Sequence, residues 1–368
     1  MNGNLILDGH KLLWHKERVE ALLAGERVAP ITIDCALTRK CTYKCVYCYG
    51  QLQANDEKRM TKDVIYRFLD DAAEIGVKAI SFVSDGESTC SPHLYDAILR
   101  GRANGLDMAL GTNGYLLKDD RIEDILPALT YLRFNISAAD PKRYAEIHGC
   151  RESCYQKIIG TIKKCVEIKK KNHLTVTIGL QMVLLPRFAD QIIPLAKLGQ
   201  VLGVDYLVIK HCSDDENHAL GIDYAKYAGL TYILKFAEAH STANYLVKAK
   251  WSKILSNGKR RYSRCYGPPL ITQFSGSGLV APCGMLFNEK YKKYHIGNIA
   301  EMSFKQIWKS DRYWEVMRLI ASEKFDARTM CGSLCLQHKV NEYLWDLKNG
   351  DAVLADPGGE PPQHINFI

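Results

Sequence analysis

Two patterns of apolar residues alternate along the first two thirds of the chain. Ile31, Ile33, Cys35 and Leu37 alternate with polar neighbours, and this period of two predicts a β-strand. After Thr61, apolar residues recur every three or four positions, which predicts a helix with Thr61 as its N-cap. The same alternation then continues, with strands predicted over 79–83, 108–111, 131–136, 175–185 and 206–210 and helices over 92–104, 122–129, 158–172 and 189–202.

These six strand–helix repeats have short connections, which predict parallel strands joined by right-handed crossovers. The fold class that we expect is α/β, a partial (β/α)6 barrel followed by a small C-terminal domain. In such a barrel the loops at the carboxyl ends of the strands share one rim, where active sites lie. Five polar segments are expected on that rim: 41–48, 84–88, 112–114, 137–140 and 211–215.

The alternation stops after about residue 220, and this change suggests three regions. We expect an N-terminal extension over 1–28, the barrel over 29–245, and the C-terminal domain with its tail over 246–368. A helical segment over 224–240 would connect the last two. The tail over 356–368 is rich in Pro and Gly but ends in apolar residues, so we expect it to pack against the body.

The composition is typical of a globular protein. Of the 368 residues, 47% are hydrophobic and 24% are charged, with a formal net charge of +8. No apolar run approaches the roughly 20 residues that span a bilayer. The first residues also lack the layout of a secretion signal, so we expect a cytoplasmic protein without a membrane partner. Lysine runs such as 169–171 fit solvated helix faces, which makes nucleic acid an unlikely partner, although a weak attraction for anions stays open.

Three of the thirteen cysteines follow the first predicted strand directly. Cys41, Cys45 and Cys48 have the spacing Cys-x3-Cys-x2-Cys, and thiolates this close together can bind one face of a compact metal centre. A zinc site would need a fourth ligand, and no Cys or His follows nearby. An iron–sulfur cluster with one open iron is the better interpretation, and three adjacent buried thiols are the alternative.

With this loop on the first strand of a six-fold β/α pattern, residues 30 to about 215 resemble the radical S-adenosylmethionine (SAM) enzymes. The resemblance implies a [4Fe–4S] cluster held by Cys41, Cys45 and Cys48, whose open iron binds the methionine part of SAM. It also implies that Tyr47, the aromatic residue before the third cysteine, lies beside the adenine.

Further SAM contacts follow from the same resemblance. Asp85-Gly86-Glu87 matches the family's Gly-Gly-Glu, so Gly86 and Glu87 are expected at the methionine ammonium, with Asp85 as a departure from the motif. A carboxylate suits an ammonium ion. Asn113 and Ser137 match positions that contact SAM, although Asn113-Gly114 is equally compatible with a simple tight turn.

A second set of cysteines lies in the C-terminal region: Cys265, Cys283, Cys331 and Cys335. Four thiolates can saturate a zinc ion or an iron–sulfur cluster, and spacing alone does not separate the two. The surrounding segments 277–283 and 296–308 resemble the SPASM or shorter twitch extension of radical SAM enzymes. That resemblance implies a second, auxiliary [4Fe–4S] cluster fully ligated by protein.

Three residues at the end of the sixth predicted strand and just after it are candidates for catalysis. Cys212 is expected on the rim opposite the cysteine segment 41–48, which we call the SAM loop, and a thiol there could return a hydrogen atom to a substrate radical. Lys210 and Asp214 could bind or deprotonate a polyol substrate. The alternatives are a structural thiol and surface ion pairs.

The resemblance implies a 5′-deoxyadenosyl radical that abstracts hydrogen from the substrate. We expect a polar small molecule (a sugar, aminocyclitol or sugar nucleotide) that is dehydrogenated or epimerised, and a flavodoxin- or ferredoxin-type electron donor. Peptide maturation and sugar-acid decarboxylation are the enzymatic alternatives, and an iron–sulfur electron-transfer protein is the alternative without catalysis.

Overall fold

One continuous β-sheet forms the centre of the protein in the computed structural model, which describes residues 4–55 and 60–368. Its strands in chain order are β1 Thr32–Cys35, β2 Ala79–Phe82, β3 Asp107–Thr112, β4 Leu129–Asn135, β5 Thr177–Leu184, β6 Tyr206–His211, β7 Leu246–Ala249, β8 Ile271–Phe274, β9 Leu279–Ala281 and β10 Gly297–Asn298. Their order across the sheet is β10-β9-β8-β1-β2-β3-β4-β5-β6-β7.

Helices cover the outer face of this sheet. They are α1 Lys16–Leu23, α2 Lys62–Ile75, α3 Leu94–Ala103, α4 Ile122–Ile125, α5 Pro141–His148, α6 Ser153–Lys171, α7 Ile192–Leu202, α8 Thr231–Glu238, α9 Trp251–Ile254, α10 Phe304–Lys309, α11 Asp311–Ile320 and α12 His338–Asn349. Helix α2 begins and ends as predicted, because Thr61 caps its first turn and Gly76, at φ +95°, ends it. Within the described ranges, no helix has both the length and the hydrophobicity that a membrane span requires.

Strands β1 to β6 are parallel and each is followed by at least one helix, which confirms the predicted α/β fold with its partial barrel. Two further parallel strands extend the sheet at its edges. β7 pairs with β6, and β8 returns from the C-terminal region to pair with β1, with Thr32 opposite Ile271. β9 and β10 then continue the sheet in antiparallel fashion.

Several elements were not predicted, among them helix α5 and strand β7. Helix α5 lies between β4 and α6, and Asp140, at the end of the predicted rim segment 137–140, caps it by accepting a hydrogen bond from the Arg143 amide. Strand β7 lies just beyond residue 245, where we place the start of the C-terminal domain. The sheet is continuous across that point, and the boundary stays a prediction.

Both chain ends pack against the amino-terminal ends of the barrel strands. The Thr32 hydroxyl donates to the Asn366 carbonyl over 2.6 Å, and Lys11 Nζ donates to the Phe367 carbonyl over 2.6 Å. The two ends also meet each other, since the Gln363 amide donates to the Asn4 carbonyl over 3.1 Å. The predicted packing of the tail is therefore confirmed, and the tail forms the floor of the barrel.

Candidate active site and the two groups of cysteines

The loop that contains Cys41, Cys45 and Cys48 lies at the carboxyl end of β1 and rests on the end of α5. The Lys44 amide donates to the His148 carbonyl over 3.1 Å, so the loop is tied to the last turn of that helix. The contact is close enough to require glycine at position 149, where a Cβ atom would lie 2.3 Å from the Lys44 carbonyl oxygen. Cys41 is exposed and the other two thiols are partly exposed, as a cluster open to a ligand needs.

Glu87 joins this loop to the end of β3. Its amide donates to the Lys40 carbonyl over 2.9 Å. One carboxylate oxygen, Oε1, accepts from the hydroxyls of Thr89 and Thr112, and the other, Oε2, accepts from the Asn113 amide over 2.7 Å. Because Oε2 accepts a single hydrogen bond from the residues that the structure describes, it keeps capacity for an ammonium ion.

Asn113 lies beside the first cysteine. Its side-chain Nδ2 donates to the Thr42 hydroxyl over 3.0 Å, and its Oδ1 accepts from the Tyr115 amide over 3.0 Å. The second bond closes a tight turn, so the turn that we gave as the alternative is present. The first places the residue at the cysteine loop, where a SAM contact was predicted.

The departure from the Gly-Gly-Glu motif has a structural explanation. The Asp85 carboxylate accepts from the Ser275 hydroxyl over 2.6 Å and from the Gly276 amide over 2.8 Å, and Arg39 lies 3.4 Å away. The Asp85 carboxylate therefore fastens the β8–β9 turn of the C-terminal region to the β2–α3 loop and to Arg39, which lies two residues before Cys41. Gly86 allows the close approach, since a Cβ atom there would lie 1.9 Å from the Thr38 carbonyl oxygen.

His148 is a residue of the site that the sequence analysis missed. Its Nε2 accepts a hydrogen bond from the Ser137 amide over 3.1 Å, which leaves the proton of the neutral ring on Nδ1. Nδ1 lies 3.4 Å from both Cys45 Sγ and the Tyr47 hydroxyl. Complete burial lowers the pKa of His148 to about 3. The imidazole is therefore neutral and can donate to the Cys45 sulfur, linking Ser137 and Tyr47 to the cysteine loop.

Cys212 lies beside the SAM loop, so our expectation that it faces the loop from the opposite side is wrong. Its Sγ is fully buried and lies 3.6 Å from the Tyr47 carbonyl oxygen. The strand β6 ends next to that loop, which explains the proximity. Asp214 is also buried, and its carboxylate accepts from the amides of Asp215, Leu220 and Ile222. Because these bonds shape its own loop, we no longer assign Asp214 to substrate.

The β6–α8 loop also contacts the second group of cysteines. The Ser333 hydroxyl accepts from the Asp214 amide over 3.0 Å, and the Ser213 hydroxyl donates to the Leu334 carbonyl over 2.9 Å. Residues 212–214 thus bridge the SAM loop and the Cys331–Cys335 segment.

Cys265, Cys283, Cys331 and Cys335 converge from distant parts of the chain. They line one small buried cavity together with Arg260, Tyr262 and Asn341. Burial and the neighbouring thiols raise the pKa of Cys265 and Cys283. Two donors complement the quartet, since the Asn341 amide nitrogen lies 3.2 Å from Cys265 Sγ and Arg260 is buried beside Cys331.

This quartet fits an iron–sulfur cluster. Four thiols around a common cavity, with a buried guanidinium and an amide donor, suit the thiolates and negative charge of a [4Fe–4S] group. In the part of the chain that the structure describes, no three Cys, His, Asp or Glu side chains approach closely enough to share one metal ion.

The barrel encloses a cavity of about 130 Å³ between the tail and the middle of the strands. Its lining is mixed: Leu5, Ile6 and Phe367 are among its apolar residues, and its polar and charged side chains include Asp34 of β1, Arg133 of β4, Gln181 of β5 and Lys250 after β7. Lys210 of β6 lies close enough that its charge acts on Asp34. We call this cavity the lumen.

Comparisons with known proteins agree with this architecture. Over 327 aligned residues the chain is 24% identical to the AdoMet-dependent heme synthase of Methanosarcina barkeri, covering 85% of this chain and 90% of that protein. It is 22% identical to the tungsten-containing aldehyde ferredoxin oxidoreductase cofactor-modifying protein of Pyrococcus furiosus, covering 75% and 80%. The crystal structure of Streptococcus suis SuiB bound to S-adenosylmethionine matches with a TM-score of 0.63 at 18% identity, covering 82% and 71%, which shows a shared fold.

Two family models match along the chain. The model of the radical SAM superfamily matches residues 36–197, and that of the SPASM iron–sulfur cluster-binding domain matches residues 265–335. The cofactors of the chain are therefore SAM with its [4Fe–4S] cluster and auxiliary iron–sulfur, as the cysteine spacing and the resemblance indicated. This chain belongs to the radical SAM superfamily and carries a C-terminal SPASM domain.

Proposed function

We propose that this radical SAM enzyme abstracts hydrogen from a polar small molecule bound in the lumen, and that it dehydrogenates or epimerises that molecule. The polar and charged side chains in the mixed lining of the lumen are the observation that carries the proposal. Asp34, Arg133, Gln181 and Lys250 offer hydrogen bonds and charge that a polar ligand can use, beside apolar residues of the same lining. A sugar, aminocyclitol or sugar nucleotide has the matching polarity.

The bound cofactors would supply a 5′-deoxyadenosyl radical, and Cys41, Cys45 and Cys48 would hold the cluster that this chemistry needs. Glu87 and Asn113 would orient the methionine part of SAM, with Gly86 leaving space for the chain and Tyr47 lying near the adenine. Ser137 would keep this arrangement in place through His148. The reducing electron would come from a flavodoxin- or ferredoxin-type donor.

Lys210 is the residue that we propose as proton acceptor in a dehydrogenation. Burial and the charges of Lys253 and Arg133 lower the pKa of Lys210 well below its usual range. A lysine with a lowered pKa loses its proton at a lower pH than an ordinary lysine does. Only the neutral amine can accept a proton. The electron that remains on the substrate would pass to the auxiliary cluster held by Cys265, Cys283, Cys331 and Cys335.

Cys212 supports the epimerisation alternative. Burial raises the pKa of Cys212 to about 12, so the sulfur keeps its hydrogen at neutral pH. A protonated thiol is what a hydrogen-atom donor requires, and its contact with the Tyr47 carbonyl places it beside the SAM loop.

The relatives are named for different molecules, so their names do not select a substrate for this chain. One is a synthase of haem, one modifies the cofactor of a tungsten-containing oxidoreductase, and a partial match is a probable GTP 3′,8-cyclase of Pyrococcus horikoshii. The SuiB structures, one of which contains a precursor peptide, share the fold at 18% identity. We therefore retain peptide maturation and sugar-acid decarboxylation as outcomes of the test.

The test is hydrogen transfer from a panel of deuterated sugars, aminocyclitols, sugar nucleotides, sugar acids and peptides. We expect deuterium in 5′-deoxyadenosine with a polar small molecule. Lys210→Met should block product formation while deuterium transfer persists, whereas Lys163→Met, which removes an exposed lysine of α6, should change neither. Deuterium transfer only from peptides would contradict the proposal, and transfer from a sugar acid with release of CO₂ would establish the decarboxylase alternative.

A further inference from the structure

The lumen contains more basic than acidic groups. Arg133 of β4 and Lys250, just after β7, line the lumen, and we call these two residues the lumen cations. They act on each other, because the charge of Arg133 lowers the pKa of Lys250. Like charges gathered in a buried space are unfavourable unless an anion compensates them.

The acidic residues nearby provide little compensation. Burial raises the pKa of Asp34 to about 7, so it carries only part of a negative charge at neutral pH. Asp8 lies near Lys250, but its two carboxylate oxygens accept from the amide and hydroxyl of Ser252. Within the described residues, neither acid forms an ion pair with a lumen cation, although the charge of Asp8 raises the pKa of Lys250.

The donors of the lumen cations are not used by the protein. Arg133 Nε is buried and has no hydrogen-bond partner in the described chain. The side chain of Lys250 forms no hydrogen bond or ion pair with residues 4–55 or 60–368. Lys11 differs, because the carbonyls of His364 and Phe367 accept its protons. Donors that are buried and unpaired are costly unless a ligand accepts from them.

We infer that the lumen is an oxyanion site, in which Arg133 and Lys250 bind a phosphate or carboxylate group of the substrate. This inference rests on the proposed function, and it narrows the substrate class to anionic molecules such as sugar nucleotides or sugar acids. The anionic group lies deep in the lumen near the tail, which leaves the rest of the molecule to extend towards the SAM loop. An uncharged aminocyclitol would leave the lumen cations without a partner.

Calorimetric titration of the full chain, reconstituted and loaded with SAM under anaerobic conditions, tests this site without turnover. The probes are pyrophosphate for the phosphate class and succinate for the carboxylate class, at fixed ionic strength. We expect saturable binding of at least one probe to the wild type, and the tighter probe identifies the class. Arg133→Met and Lys250→Met should each weaken that binding about tenfold or more, because each removes a charge-assisted hydrogen bond.

Lys163→Met is the matched control, since it removes the same charge from the exposed face of α6. Arg133→Lys keeps the charge without the planar donor pair, and it should bind the probe more weakly than the wild type and more tightly than Arg133→Met.

Iron content establishes that each variant is folded and loaded. Weakened binding in either Met variant that the control does not share supports the site. Equal binding by all the proteins, or no saturable binding of either probe to the wild type, overturns it. Formation of 5′-deoxyadenosine is measured separately, so a failure here is distinguishable from a failure of the proposed function.

Discussion

At the scale of single residues, His148 has the most specific contact with the SAM loop. Its Nδ1–H points at Cys45 Sγ, and its other nitrogen is occupied by the Ser137 amide. Hydrogen bonds to a ligand sulfur stabilise the reduced, more negative cluster and so raise its reduction potential. We therefore assign His148 a positioning and tuning role.

His148→Phe should lower the potential of the SAM-binding cluster. A hydrogen bond worth about 0.5–1.5 kcal/mol corresponds to a shift of roughly 20–60 mV for one electron. The measurement is a redox titration of the reconstituted enzyme followed by electron paramagnetic resonance. Lys163→Met, at an exposed position of α6, is the control, and an unchanged potential in His148→Phe would remove this role.

The site residues that the sequence predicted are those with a recognisable ligand type or motif. The two groups of cysteines follow from spacing and ligand type, and Asn113 and Glu87 follow from the family motif. His148 lies 103 residues from Cys45, and no motif in the neighbouring sequence indicates a hydrogen bond to a cysteine sulfur. The pair Asp140-Pro141 is a helix-start signal that could have predicted α5 and hence the position of His148.

At the scale of elements, the β2–α3 loop fastens the SPASM region to the barrel through Asp85. Asp85→Ala should lower the free energy of unfolding by about 1–3 kcal/mol, because the Ser275 hydroxyl and the Gly276 amide lose their acceptor. Asp85→Asn retains one acceptor oxygen and should lose less. Chemical denaturation of the reconstituted proteins measures both, and equal stability of Asp85→Ala and the wild type would contradict the clamp.

The elements themselves show where sequence patterns suffice. Strands β1 to β6 are buried runs between clear turn signals, so periodicity located each of them. β7 has only four residues, Leu246–Ala249, with a lysine within it, and its pairing with β6 depends on a partner 40 residues away. The return of β8 to pair with β1 is equally non-local, because no local pattern encodes which edge a strand joins.

At the scale of the whole molecule, the C-terminal tail closes the floor of the barrel. Phe367 lines the lumen and packs edge-on against Tyr131 with ring centroids 4.9 Å apart. Phe367→Ala should cost about 2 kcal/mol of stability, the value for partial burial of one aromatic side chain. It should also admit water to the lumen and raise the amount of 5′-deoxyadenosine formed per product.

Val353→Ala, at an exposed position just before the tail, is the control for that variant. Denaturant unfolding and the ratio of 5′-deoxyadenosine to product are the two measurements. If Phe367→Ala resembles the control in both, the tail does not seal the lumen.

The two groups of cysteines make a prediction about metal content. A cluster at each site gives about eight irons per chain, and replacing Cys265, Cys283, Cys331 and Cys335 together by Ala should reduce this to about four. Iron and zinc analysis of the reconstituted protein provides the numbers. About four irons together with one zinc in the wild type would contradict the auxiliary cluster.

The most direct test of the central claim is the cleavage of SAM itself. The reconstituted protein, incubated anaerobically with SAM and a strong reductant, should form 5′-deoxyadenosine, detected by mass spectrometry. The variant with Cys41, Cys45 and Cys48 all replaced by Ala should form none, while its auxiliary cluster remains. Absence of 5′-deoxyadenosine from the fully loaded wild type, or equal amounts from the triple variant, would contradict radical SAM chemistry at this site.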